Sequence, residues 1–203
     1  SRELGRVFAG FRDDPSLRVA VFTGAGDRFF SAGWDLGAAA AGEDFEADYG
    51  EGGFGGFCEL PGRHKPVVCA VNGMAVGGGF EIAMAAEFVV AADHARFFLP
   101  ETGLGIIPDA GVIRLPRMLP PVVANEVLYG GRRLDAFEAE RCGLVNKVVP
   151  AEDLLSEVFV AEDEIADEYA YRGDEYFTPE QRDVEQVIYS NQAAALKAWR
   201  CQS

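Results

Sequence analysis

The sequence predicts an α/β fold built on a largely parallel sheet and followed by a helical C-terminal segment. Three observations predict it. Short runs rich in Val, Ile and Phe alternate with helix-like runs through residue 150, as expected for strands joined by crossover helices. Two of the helix-like runs stop at glycine, a common helix terminator. Residues 151–203 then leave this alternation for an acidic, helix-patterned stretch. The chain therefore divides into a core over 1–150 and a C-terminal segment over 151–203 that serves as an oligomerisation or lid element.

Taken in order, residues 1–14 predict a helix ending at DDP. LRVAVFTG (17–24) reads as a buried strand, and Gly24 and Gly26 turn the chain after it. The stretch GAAAAGEDFEADYGEGGFGGF (37–57) is Gly-rich and acidic without a steady period, so most of it predicts a mobile loop. KPVVCAVNG (65–73) is the next buried strand, and a helix follows from about Gly78 to Ala86. FVVAAD (88–93) and ARFFLP (95–100) predict short strands. VVANEVLYGG (122–131) and LDAFEAERCG (134–143) predict helices, and LVNKVVP (144–150) a last strand.

A chain of 203 residues with 49% apolar and 25% charged content can bury one sizeable core. Its net charge of −15 argues against nucleic acid or an anionic membrane as the main partner. No apolar run is long enough to span a bilayer, and SRELGRVFAG lacks the apolar core of a signal peptide. Cys58, Cys69, Cys142 and Cys201 form no CxxC pair and have no nearby His at metal-ligand spacing, which points to reduced thiols in the cytoplasm and to no metal site. His64 and His94 fall among loop-type residues and read as structural or surface groups.

The chemistry concentrates in CAVNGMAVGGGFEIAMAA (69–86), where three glycines precede a lone carboxylate, Glu81. A phosphate loop would need Lys and then Ser or Thr after the last glycine, but Phe80 and Glu81 stand there. The spacing also misses the dinucleotide fingerprint. What remains is a helix N-terminus with bare amides, which lack intrahelical partners and favour negative charge. Glycine lets a ligand approach them closely, which suits a developing oxyanion. A carboxylate in this apolar setting is disfavoured as an ion and suited to proton transfer near neutral pH. Glu101, in FFLPETGLGIIPD, likewise interrupts an apolar neighbourhood, and the turn SAGWDL (31–36) offers another amide. Two amides and two carboxylates around one cleft fit proton abstraction beside a thioester carbonyl. Spacing alone equally allows a helix-capping Glu101 and a salt-bridged Glu81.

The stretches RFFSAGWDL, KPVVCAVNGMAVGGGFEIAMAAEFVVAADHARFFLPETGLGIIPDAG and GRRLDAFEAERCGLVNKVVP resemble the enoyl-CoA hydratase/isomerase (crotonase) family over about residues 1–155. The resemblance implies a crotonase-type spiral of ββα turns, usually assembled as a trimer or a dimer of trimers. It implies an oxyanion hole from the backbone N–H groups of Trp34 and Gly78. Ala32, Asp35, Gly77, Gly79, Pro100, Asp109 and Gly111 would line the substrate site. Hydratases of the family carry glutamates at the positions of Glu81 and Glu101, whereas isomerases generally keep only the second. The resemblance therefore implies reversible hydration of a short enoyl-CoA, with Glu101 exchanging the α-proton and Glu81 handling the water or leaving hydroxyl. CoA arrives as part of the acyl-CoA substrate, and no separate cofactor is implied.

Within the family, DLGAAAAGEDFEADYGEGGFGGF and RLPRMLPPVVANEVLYGGRRL look most like enzymes whose thioester substrate carries a quaternary ammonium at its acyl end. Trp34, Phe45, Tyr49, Phe54 and Phe57 could offer aromatic faces to such a cation, with Glu43, Asp44, Glu46 and Asp48 adding attraction. The same residues also read as a solvated acidic loop with incidental aromatics. Three departures from the pattern stand out. Relatives have further N-terminal strands that contribute to the CoA site; GIIPDAGVIRLP has one glycine where relatives have two; and the tail beyond about 155 matches poorly. These leave room for an isomerase, another reaction through the same enolate, or a non-catalytic assembly subunit.

Overall fold

The computed structural model describes residues 2–35, 37, 42 and 49–159. The strands form two four-stranded sheets rather than one. The first contains β1 (Ala20–Thr23), β3 (Val67–Val71), β5 (Phe88–Ala92) and β8 (Lys147–Val149), in that order and all parallel. The second contains β2 (Phe29–Ser31), β4 (Met74–Val76), β6 (Arg96–Phe98) and β7 (Leu134–Asp135). There β2, β4 and β6 run parallel and β7 antiparallel. Each of the first three turns of chain thus sends one strand to each sheet, which is the spiral of ββα turns the resemblance implies.

The helices bounded within the described residues are α1 (Arg2–Asp13), α2 (Gly78–Ala85), α3 (Gly111–Met118), α4 (Pro121–Gly130) and α5 (Ala136–Arg141). Sequence reading missed β2 and β4, which are three residues each and too short to show alternation. It also gave 134–143 wholly to helix, whereas Leu134–Asp135 joins the sheet and Asp135 then caps α5 by accepting the Glu138 N–H at 2.8 Å.

Strand β3 is buried on both faces, as a central parallel strand should be. Its odd-numbered residues Val67, Cys69 and Val71 join the main core with Phe8, Phe11, Phe80 and Phe97. Its even-numbered Val68 and Ala70 face a second cluster with Val19, Val90, Val149, Leu154 and Val158. The start of the 151–203 segment, a 3-10 turn at Ala151–Asp153 and helical residues 154–159, therefore packs on the first sheet. Residues 160–203 lie outside the described structure.

Two asparagines tie successive turns together. Asn72, at the β3–β4 corner, donates to the carbonyls of Gly24 and Gly26 at 3.0 and 2.6 Å and accepts the Gly24 N–H at 3.0 Å. Asn146 continues the β5 edge, accepting the Val89 N–H at 2.7 Å through its side chain while its own N–H donates to the Val89 carbonyl at 2.8 Å. Buried Lys65 donates from Nζ to the carbonyls of Phe11 and Asp14 at the end of α1. His94 is exposed, with Nε2 on the Asp27 carbonyl at 3.0 Å. His64 is likewise a surface-loop residue.

Candidate active site

Helix α2 carries the site. Residues 79–85 are all buried, so the helix runs through the core rather than over it, and its first turn opens at the end of β4. Its C-terminal end is satisfied by guanidinium groups. Arg114 donates to the Met84 carbonyl at 3.2 Å and Arg63 to the Ala85 carbonyl at 3.1 Å. At the other end the N-cap, Gly77, supplies no side-chain cap. The N–H of Gly78, the first helical residue, has no intrahelical acceptor by geometry.

Each glycine of the run has its own steric reason. Gly77 has φ +54°, and a methyl there would fall 2.6 Å from Glu101 Oε1. A methyl on Gly78 would overlap the Phe54 ring, and one on Gly79 would overlap the Ser31 carbonyl. Gly33 has φ +81°, and a methyl there would lie 2.7 Å from the Val76 carbonyl and 2.8 Å from the Gly78 nitrogen. The SAG turn therefore packs directly against the start of α2, bringing the backbone beside Trp34 to the Gly78 amide.

Glu81 sits one turn into α2 with 6% of its surface exposed. Its Oε1 accepts the Gly111 N–H at 2.7 Å, so its partner is a backbone amide and not a cation. Burial raises its pKa from 4.5 to about 7; the Gly111 amide opposes the shift, while the charges of Glu101 and Asp109 add to it. Glu101 opens the 3-10 turn Glu101–Leu104 after Pro100. Burial moves its pKa upward too, and its Oε2 is buried with no hydrogen-bond partner among the described residues. Both carboxylates flank the glycine run: Glu101 through Gly77, and Glu81 through its own N–H, which donates to the Gly77 carbonyl at 3.1 Å.

The other predicted lining residues divide. Gly111 starts α3 and touches Glu81 directly, so the single glycine at this turn still delivers an amide to the site. Asp109 is exposed and acts on Glu81 in two opposed ways: its charge raises the Glu81 pKa and its backbone N–H lowers it. Ala32 and Asp35 are exposed, and Asp35 accepts the Gly37 N–H at 2.8 Å. Gly79 is a packing position against Ser31.

Two expectations for 37–57 are overturned in its described part. Residues 52, 53, 55 and 56 are buried, and Phe54–Gly56 forms a 3-10 turn wedged against α1 and α2. Phe57, offered as an aromatic face, is 1% exposed and stacks in the core against Phe8, with centroids 4.5 Å apart. Phe45 and the acidic residues Glu43, Asp44, Glu46 and Asp48 lie outside the described residues. Sequence reading also passed over Arg63 and Arg114, both half-buried; their bonds to a distant helix end leave no signal in a linear pattern.

Comparison with known proteins bears on this geometry. Residues 1–172 match the family described as enoyl-CoA hydratase/isomerase. The chain is 60% identical over 156 residues to a carnitinyl-CoA dehydratase of Citrobacter koseri, covering 76% of this chain and 60% of that protein. It is 56% identical over 167 residues to a carnitinyl-CoA dehydratase of Proteus mirabilis, covering 82% and 64%. It thus spans less than two thirds of the length of these curated relatives. Among solved structures, a carnitinyl-CoA dehydratase from Mycobacterium avium matches with TM-score 0.73 and 34% identity over 97% of this chain and 77% of that one. An enoyl-CoA hydratase from Mycobacterium marinum matches with TM-score 0.74 and 28% identity over 98% and 79%.

Proposed function

The chain belongs to the enoyl-CoA hydratase/isomerase family, and we propose that the protein catalyses reversible hydration of a short enoyl-CoA, with carnitinyl-CoA and crotonobetainyl-CoA as the substrate pair. The observation that carries this reading is the pairing of two carboxylates, Glu81 and Glu101, around one glycine-built helix N-terminus. The thioester oxygen takes hydrogen bonds from the N–H groups of Trp34 and Gly78, where the helix dipole stabilises the enolate. In dehydration, Glu101 removes the α-proton, the electron pair moves into the enolate, and Glu81 protonates the departing β-hydroxyl, which leaves as water. Hydration runs the same steps backward: Glu81 takes a proton from water as its oxygen adds at the β-carbon, and Glu101 returns a proton to the α-carbon. Burial raises both carboxyl pKa values, that of Glu81 to about 7, which suits Glu81 to exchange protons near neutral pH.

CoA enters as part of the substrate, as is general in this family, and no separate cofactor takes part. The protein works in the cytoplasm as a trimer or a dimer of trimers; no described helix is long and apolar enough to cross a membrane. Exposed Leu104, Ile106 and Ile107, in and just after the Glu101 turn, and exposed Ile113 in α3 give such an assembly apolar surface to cover. The test is a spectrophotometric assay of crotonyl-CoA and crotonobetainyl-CoA hydration with the full-length protein. Turnover is expected with both and is expected to vanish in Glu101→Gln. No turnover with either thioester, or undiminished turnover in Glu101→Gln, overturns the reading.

A further inference from the structure

The segment Gly52-Gly53-Phe54-Gly55-Gly56 is a glycine cluster that the proposed chemistry does not use. Its glycines cannot be exchanged. Gly53, Gly55 and Gly56 have φ of +64°, +72° and +83°. A methyl on Gly55 would fall 2.5 Å from Ile82 Cγ1 in α2, one on Gly56 would overlap the Gly5 nitrogen in α1, and one on Gly52 would overlap the Gly56 carbonyl. Ordering four glycines costs more backbone entropy than ordering any other residues. A loop assembled at that cost and buried on both sides holds one large side chain, Phe54, in one place.

That place is the oxyanion residue. Three atoms of the Phe54 ring edge crowd the position a Gly78 side chain would occupy. The Tyr49 ring meets Phe54 nearly at right angles, with centroids 5.7 Å apart and an interplanar angle of 85°. The Tyr49 hydroxyl is buried and has no hydrogen-bond partner among the described residues. Two perpendicular rings make an aromatic corner whose faces are electron-rich, and the carboxylate of Glu101 stands across the same glycine run. If the thioester oxygen sits on the Gly78 amide, as the proposed function has it, a group four bonds beyond the carbonyl carbon reaches about 5 Å. Cation–π attraction acts within about 6 Å of a ring centroid.

We infer that Tyr49 and Phe54 form the acyl-end subsite and select a cationic, trimethylammonium-type terminus over a neutral one of the same shape. The N-methyl hydrogens carry most of that positive charge. They meet ring faces and the Tyr49 oxygen, which accepts weak C–H···O contacts.

The test measures binding, so that it does not depend on turnover. Dissociation constants of 4-trimethylammoniobutanoyl-CoA and of its neutral isostere 5,5-dimethylhexanoyl-CoA are determined by titration calorimetry for the full-length wild type, Phe54→Leu and Tyr49→Leu. The wild type is expected to favour the cation by about fivefold to thirtyfold, the range of one desolvated cation–π contact. Each variant is expected to bring that ratio down to within about twofold of unity. Equal affinity of the wild type for the two ligands, or an unchanged ratio in both variants, overturns the inference. So does equal weakening of both ligands, which would make the corner a steric wall. Crotonyl-CoA hydration by the same preparation reports separately on the reaction: cation preference without hydration sinks the hydratase reading and leaves the corner standing, and hydration without preference does the reverse.

Discussion

Replacing Glu81 by Gln isolates the energetic consequence of a carboxylate inside α2. In the wild type, burial lifts this group from 4.5 to about 7. A raised carboxyl pKa means the folded state holds its proton more tightly than the unfolded chain, so the stability it contributes is complete below pH 4.5 and is lost as pH rises through 7. A rise from 4.5 to about 7 amounts to about 3 kcal/mol. Glutamine keeps an oxygen for the Gly111 N–H but has no proton to lose, so Glu81→Gln lacks this dependence. The variant is therefore expected to gain about 3 kcal/mol on the wild type between roughly pH 4.5 and pH 8.5. Urea unfolding of both proteins across that range, at one fixed protein concentration because assembly couples to stability, reads it directly. A difference that stays flat within about 1 kcal/mol would refute the claim that Glu81 is an ionisable group held in an apolar site.

Other expectations follow from the same geometry. Gly77→Ala places a methyl 2.6 Å from Glu101 Oε1 at a residue with φ +54°, so kcat/KM is expected to fall by about 100-fold or more, with a stability loss of about 1–2 kcal/mol by urea melt. Asn72→Ala removes the bonds that pin Gly24 and Gly26 and leaves the half-buried Gly24 N–H unpaired; a loss of about 2–3 kcal/mol is expected in the same assay, and a loss under about 0.5 kcal/mol would contradict it. Burial pushes the Cys58 thiol up to about 12 and the Cys69 thiol well above its ordinary value. Neither is therefore expected to react with Ellman's reagent at pH 8 until the protein is unfolded, and Cys58→Ser should leave the native reaction amplitude unchanged.

The central strands were legible because they are buried on both faces and so read as continuous apolar runs, as VVCAV in β3 and FVVAA in β5 do. Strands β2 and β4 were not, because three residues ending at a glycine turn cannot be told from the turn itself. The helix that the resemblance implies after the Asp109-Ala110 turn is α3; the residue pattern alone does not show it, because an internal proline, Pro116, masks its period. The run 52–56 misled in the opposite sense. Glycines that report mobility in isolation are here required by close contact with α1 and α2, and composition cannot distinguish the two uses.

By itself the sequence determined the chemistry available: a glycine-started helix, a carboxylate one turn inside it, and a second carboxylate at the end of a strand. These are local properties, set by residue type and spacing along one element. Only the tertiary structure decided what each group meets. Glu81 takes the Gly111 amide from α3, Glu101 stands over Gly77, and Phe54 is pressed onto Gly78. Such contacts join residues far apart in the chain, and they depend on how two sheets and a buried helix pack. A pKa near 7 is likewise a property of that packing, since burial and not sequence position removes the water that would otherwise hold the charge.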